Sequence, residues 1–161
     1  MEYKVDEENL IFLISQPRSG STYLKALLSN NVYVNTISEP WILLHYINQI
    51  KPELVETTVR NSIAVDAYRE YSNRFPEHPF NQNFKDFLLS HYTPLKTGYR
   101  YILDKTPRYW EIIDEIIKLF PKSKIVVLKR NPAEVVKSII CLLYTSPSPR
   151  DQRGSRMPSS A

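Results

Sequence analysis

The sequence predicts an α/β fold, a parallel β-sheet flanked by helices, on three observations. Short runs of Ile, Leu, Val and Phe alternate with longer segments whose apolar residues recur at helical spacing. The run at 123–129 has a continuously apolar centre at 125–128, as a strand covered on both faces does. Pro and Gly stand at the junctions between strand and helix. Strands alternating with helices imply parallel pairing with helical crossovers.

Each element follows in order. Residues 9–15 form an apolar strand that ends at Gln16-Pro17, and residues 19–29 a helix with apolar Tyr23, Leu24, Leu27 and Leu28. A short β-branched run at 32–37 is the second strand. Residues 41–50 are helical and stop near Pro52; Trp41, His45 and Tyr46 share one face there and read as core. Residues 53–71 are polar and loosely helical, residues 75–83 a loop with Pro76 and Pro79, and residues 84–91 a short helix. Gly98 leads into a strand at 99–103. Ile112, Ile113, Ile116, Ile117 and Phe120 stripe a helix over 110–120, with Pro121 after its end. The core strand at 123–129 follows, and Pro132 opens the next helix in its first turn.

A chain of 161 residues fits one domain, and 42% hydrophobic with 24% charged residues is enough for a packed core. The longest apolar runs, such as 10–14 and 125–128, fall far short of the roughly 20 residues of a membrane span. Asp6, Glu7 and Glu8 have the wrong sign for a secretory leader, which leaves the cytoplasm as the default compartment. The net charge of +4, from 21 basic and 17 acidic residues, is too small for the dense basic stripe of a nucleic-acid binder. One cysteine excludes an intramolecular disulfide framework. His45, His78 and His91 are scattered, so no metal site is expected.

Composition changes abruptly at Cys141. Residues 141–161 hold five Ser and three Pro, and beyond Tyr144 their only large apolar residue is Met157. A disordered tail is the ordinary reading. The string CLLYTSPSPRD followed by QRGSRMPSSA also resembles the translation of a sequencing-library adapter and its index primer. On that reading residues 1–140 are a domain truncated in mid-helix, and 141–161 are non-native. Removing the three arginines and one aspartate of this segment leaves 18 basic and 16 acidic residues, a net of +2.

The first strand runs into Gln16-Pro17-Arg18-Ser19-Gly20-Ser21-Thr22 and then a helix. Strand–loop–helix geometry of this kind cradles anions: loop amides point inward, the helix N-terminus adds its positive end, and small residues let the backbone approach. Arg18 can add a charge-assisted fork to an anionic oxygen. A nucleoside triphosphate loop of the G-x-x-x-x-G-K-[ST] type is broken here, with Ser15 in place of its first Gly and Ser21 in place of its Lys. The bland alternative is a plain turn with Ser19 as helix cap.

The string PRSGSTYL, with its basic residue two positions before the glycine, resembles the 5′-phosphosulfate loop of sulfotransferases. VVLKRNPAEVVKS is similar to the 3′-phosphate anchor of that family, an Arg at a strand end and a Ser two helical turns on; Arg130 and Ser138 are the matching positions. SEPW and LDKTPRY resemble segments of bacterial sulfotransferases and of protein-tyrosine sulfotransferases, where a Glu and a Lys at the positions of Glu39 and Lys105 serve as base and charge stabiliser. The resemblance covers residues 11–140 except the polar stretch 53–83, where acceptor-specific elements are expected.

What the resemblance implies is a three-layer P-loop-type fold and transfer of a sulfuryl group from 3′-phosphoadenosine 5′-phosphosulfate to an acceptor hydroxyl. The donor would be held by Arg18, Ser19, Gly20, Ser21, Thr22, Arg130 and Ser138. Glu39, Lys105 and Arg18 would carry the chemistry, with no metal. Such transfer resembles phosphoryl transfer, where positioning and charge stabilisation do most of the catalysis. The acceptor is open: a sugar, a lipid, a small alcohol or a tyrosine-containing peptide. Glu39 also suits a cap for the helix after Pro40, and Lys105 a solvated loop position. Arg108 and Tyr109 can orient their loop or line the acceptor pocket. A P-loop kinase and a non-catalytic nucleotide-binding module are the alternative readings, and the chain itself, as a truncated fragment, is expected to be inactive.

Overall fold

A computed structural model describes residues 4–37, 39–56 and 61–144. Four strands form one sheet: β1 (Leu10–Ser15), β2 (Val34–Thr36), β3 (Tyr101–Asp104) and β4 (Lys124–Leu128). Their spatial order is β2-β3-β1-β4, and every neighbouring pair is parallel. β1 therefore lies inside the sheet, with Leu10 beside Ile102 on one edge and Ile11 beside Lys124 on the other. Parallel neighbours require crossover connections. Helix α1 (Ser21–Ser29) links β1 to β2. Among the described residues, five α-helices, α2 (Ile42–His45), α3 (Ile47–Ile50), α4 (Asn61–Asn73), α5 (Phe80–Ser90) and α6 (Thr93–Lys96), and a 3-10 turn at Pro52–Leu54 link β2 to β3. A 3-10 segment at Pro107–Ile112 and α7 (Ile113–Leu119) link β3 to β4, and α8 (Pro132–Tyr144) follows β4.

The core lies against β1 and β3. Leu10, Phe12 and Ile102 are fully buried, and Tyr109, Ile112, Ile116 and Phe120 of the last crossover close over them. The Phe12 ring meets Tyr109 edge-on at 6.0 Å and Phe120 at 5.7 Å. Fully burying a side chain of this size contributes about 1.5–3 kcal/mol, so the crossover is fastened to the sheet by its aromatic residues. Of the predicted stripe on 110–120, Ile117 alone is about half exposed.

Four details differ from the expectations. Helix α1 starts at Ser21 because Arg18 (φ 67°) and Gly20 (φ 92°) both hold left-handed backbone, and Gly20 takes the cap position with no side-chain cap bond. The expected helix over 41–50 is broken at Tyr46, whose hydroxyl meets His91 Nε2 at 2.9 Å and whose ring packs edge-on against Phe87. Tertiary contacts there override local periodicity. The helix expected from residue 84 starts earlier, at Phe80, directly after Pro79. β4, read as a core strand, stands at the sheet edge with Val127 50% exposed, because no other strand among the described residues pairs with its outer side.

Helix α4 buries no residue, in keeping with its polar sequence. Cys141 to Tyr144 continue α8, and the remainder of the expected tail lies outside the described residues, as does Ser38.

Candidate functional site

All four strands end on the same side, and each hands one basic or acidic residue to a single cavity of about 860 Å³. The loop after β1 carries Arg18, the segment after β2 carries Glu39, β3 is followed by Lys105 and β4 by Arg130; α8 adds Ser138. The carboxyl ends of parallel strands, where the strand order reverses about β1, are where open α/β sheets bind ligands.

The loop 16–20 explains the Arg18 position. Left-handed backbone at a non-glycine residue is uncommon and persists where surroundings impose it. Here the Arg18 carbonyl accepts a bond from Arg130 Nη1 at 3.1 Å, and Arg18 Nε donates to Ser138 Oγ at 3.2 Å. The two anchors named from separate strings in the sequence are thus bonded to each other. Gly20, Ser21 and Thr22 line the cavity, and a Cβ placed on Gly20 would meet nothing within 4 Å, so the loop backbone is open to a ligand. Ser19 is different: it is buried and does not line the cavity, and it makes no cap bond.

Glu39 and Lys105 form an ion pair on the opposite wall. The Lys105 side chain is 5% exposed and that of Glu39 38% exposed. Lys105 is therefore no solvated loop lysine, and Glu39 stands outside α2, which starts at Ile42. Sequence reasoning gave these residues separate roles; the structure makes each the partner of the other.

Beneath this pair lies a buried polar cluster. Asp104 ends β3 and is 1% exposed; Tyr92, Thr106 and Tyr109 donate hydroxyl bonds to it at 2.7, 2.9 and 3.1 Å. Burial pushes the Asp104 carboxyl above its ordinary range, while the three hydroxyls pull it back down. Burial, followed by the nearby Asp104 charge, raises both tyrosines well above the normal phenol value, which keeps them protonated and donating.

Several assignments change. Trp41, read as core, is 38% exposed and lines the cavity, and Tyr23 stands beside it at 71% exposure. His45 is exposed and lies outside the cavity. Arg108 lines the cavity, with its guanidinium on Glu111 at 2.9 Å, whereas Tyr109 is fully buried. No residue of 53–83 among those described reaches the cavity, whose lining includes Tyr23, Trp41 and Arg108. Trp41 has a left-handed backbone (φ 53°), and it and Arg18 are the non-glycine residues with positive φ among the described residues. Both border the same cavity. Among the described residues, no group of three or more metal-ligating side chains occurs, and no helix is long and apolar enough to cross a membrane.

The parallel α/β sheet carries a small-residue loop after its first strand and an arginine after its fourth, both facing one cavity. The sequence matches the Sulfotransferase family over residues 10–156, and the chain belongs to that family. It is 31% identical over 130 residues to the nodulation protein NoeE of Sinorhizobium fredii, an alignment covering 81% of this chain and 30% of the relative. It is 25% identical over 128 residues to an uncharacterized protein of Aquifex aeolicus, covering 80% of this chain and 16% of that protein. The chain thus spans less than a third of the length of either relative.

Proposed function

We propose that this site transfers a sulfuryl group from 3′-phosphoadenosine 5′-phosphosulfate to an acceptor hydroxyl. The observation that carries the reading is the convergence of Arg18, Arg130 and Ser138 through two hydrogen bonds, in a chain of the Sulfotransferase family. The donor set suits such a ligand: a guanidinium and open backbone at the loop for one anionic group, and a second guanidinium with a hydroxyl for another. Arg18, Gly20, Ser21 and Thr22 would hold the phosphosulfate, with buried Ser19 shaping the loop from beneath, and Arg130 and Ser138 would hold the 3′-phosphate. When bound, this donor supplies the sulfuryl group that moves to the acceptor oxygen.

The chain's own residues do the rest. Glu39 takes the proton of the acceptor hydroxyl as general base. Lys105 and Arg18 stabilise negative charge that spreads over the transferring and leaving oxygens. The Glu39–Lys105 ion pair keeps the base beside the cation, so proton removal and charge stabilisation fall at one point of the cavity. The acceptor enters between Tyr23, Trp41 and Arg108.

Calorimetry with 3′-phosphoadenosine 5′-phosphate and with ATP tests the reading. Tighter binding of the first, without added Mg²⁺, is expected, because ATP has no 3′-phosphate for Arg130 and Ser138. Equal affinities, or a requirement for Mg²⁺, would favour a kinase-type site instead.

A further inference from the structure

The loops that carry Glu39 and Lys105 come from different strands, yet one buried hydroxyl joins them. Tyr109 Oη donates to Asp104 Oδ2 at 3.1 Å and accepts the backbone N–H of Leu43 at 3.1 Å. Asp104 directly precedes Lys105, and Leu43 lies in the first turn of α2, on the segment that carries Glu39 and Trp41. Tyr109, Leu43 and Thr106 are each 0% exposed, so water cannot substitute for these bonds.

Two physical features give the Tyr109 hydroxyl its importance. First-turn amides of a helix have no partner within the helix, and a cap side chain usually satisfies one of them. The cap position of α2 is Trp41, which offers no acceptor, and no side-chain cap bond is present. Tyr109 supplies the missing acceptor from another crossover. Trp41 also holds left-handed backbone, a conformation that persists only where neighbouring structure fixes it. The Leu43 bond fixes the chain two residues beyond it. With its one proton committed to Asp104, the Tyr109 oxygen is left to accept from Leu43.

We infer that Asp104 and Tyr109 are positioning residues that fix Glu39 and Trp41 against Lys105, with the Tyr109 hydroxyl as the joint between the two loops. Its consequence for turnover rests on the roles proposed above for Glu39 and Lys105; the joint itself does not. Tyr92 serves as an internal control, because its hydroxyl donates to the same Asp104 oxygen and the structure gives it no bond to α2.

The test compares Tyr109→Phe with Tyr92→Phe, each in a Trp110→Phe background so that Trp41 is the remaining tryptophan of the two in the chain. Acrylamide quenching of Trp41 should increase in Tyr109→Phe and stay at the parent value in Tyr92→Phe. In a chain that turns over, Tyr109→Phe should lower kcat roughly 10–100-fold, the size of an ångström-scale misplacement, with the donor KM unchanged; Tyr92→Phe should lose far less at comparable thermal stability. Amide exchange needs no variant: Leu43 N–H should exchange more slowly than Ile42 N–H in the unmodified chain. Equal exchange at Leu43 and Ile42, or parent-like Trp41 quenching in Tyr109→Phe, overturns the joint. A freed Trp41 with parent-like kcat overturns its part in positioning. Absence of sulfuryl transfer in a chain extended to the length of its relatives overturns the proposed reaction, and the quenching and exchange results then decide the joint by themselves.

Discussion

The two walls of the cavity are held by opposite means. On the Glu39–Lys105 wall a cation with a 5% exposed side chain stands over a buried cluster of Asp104 and three hydroxyls, itself packed on the Phe12–Phe120 core. On the Arg18–Arg130–Ser138 wall the side chains are open to solvent: that of Arg130 is 40% exposed and shared with Glu134 at 3.6 Å. Exposed ion pairs of that kind are typically worth about 0–1 kcal/mol, while buried groups lose the full desolvation term when a partner is removed. The difference teaches where preorganisation resides. Lys105, seated on the buried cluster, can present charge in a fixed geometry without rearranging during reaction, while Glu39, whose side chain is 38% exposed, is held by its pairing with Lys105. The open wall is held by the Arg18–Ser138 and Arg130–Arg18 hydrogen bonds and the exposed Arg130–Glu134 ion pair.

If that contrast holds, substitutions on the two walls should fail in different ways. The largest effect belongs to Glu39→Gln, which keeps shape and removes the proposed base. In a chain extended to the length of its relatives, turnover should fall by roughly 10²–10⁴ while affinity for 3′-phosphoadenosine 5′-phosphate stays near the parent value. Lost binding with intact saturated turnover would make Glu39 a structural residue and erase the distinction.

Arg18→Ala should act on both parameters, because in the proposed reaction its guanidinium contacts the anion in both ground and transition states. Arg130→Ala should mainly weaken nucleotide binding, by roughly 10-fold or more, as loss of a charge-assisted bond does. Titration calorimetry separates the two from Glu39→Gln. A stopped turnover at full nucleotide affinity in Arg130→Ala would contradict the assignment of that wall to binding.

A smaller effect concerns pH. The folded-state value of Asp104 is raised, so its contribution to stability is complete below the ordinary carboxylate range and is lost as pH rises through the raised value. Asp104→Asn removes this ionisation. The melting temperature of the variant relative to the parent should therefore increase with pH, and a difference independent of pH would mean that Asp104 does not titrate as its burial demands.

The smallest effect is expected from the far end of the chain. We propose that residues 145–161 are dispensable for the fold, and a chain ending at Tyr144 should melt within the ±0.5 kcal/mol range of ordinary surface changes. A larger loss would give that segment a structural role.

The sequence made some of this legible and concealed the rest for identifiable reasons. The strand alternation and the loop 16–22 were readable because apolar runs and special backbone positions leave local marks. Arg130 and Ser138 were readable from their spacing after a strand. The ion pair between Glu39 and Lys105 was not, since it depends on β2 and β3 lying side by side, and register between distant strands leaves no local trace. Trp41 was misread as core because helical periodicity assumes a helix there, and its left-handed backbone breaks that periodicity. The Asp104 cluster had one available sign, an acidic residue closing an apolar strand, but its partners at 92 and 109 come from different crossovers.

The interior position of β1 also sets a schedule for synthesis. The strand LIFLIS is made about 90 or more residues ahead of its neighbours, β3, where Leu10 meets Ile102, and β4, where Ile11 meets Lys124. At about 5–20 residues per second, roughly 5–20 s pass before the first of those partners exists. Through that interval a six-residue apolar segment has both hydrogen-bonding edges unpaired, the condition under which strands associate with the wrong chain. This sheet cannot assemble strand by strand in order of synthesis; it waits on contacts of high sequence separation, which form slowly. Nascent chains arrested before residue 101 should accordingly be the ones that engage chaperones through 10–15, and arrest beyond residue 128 should release them.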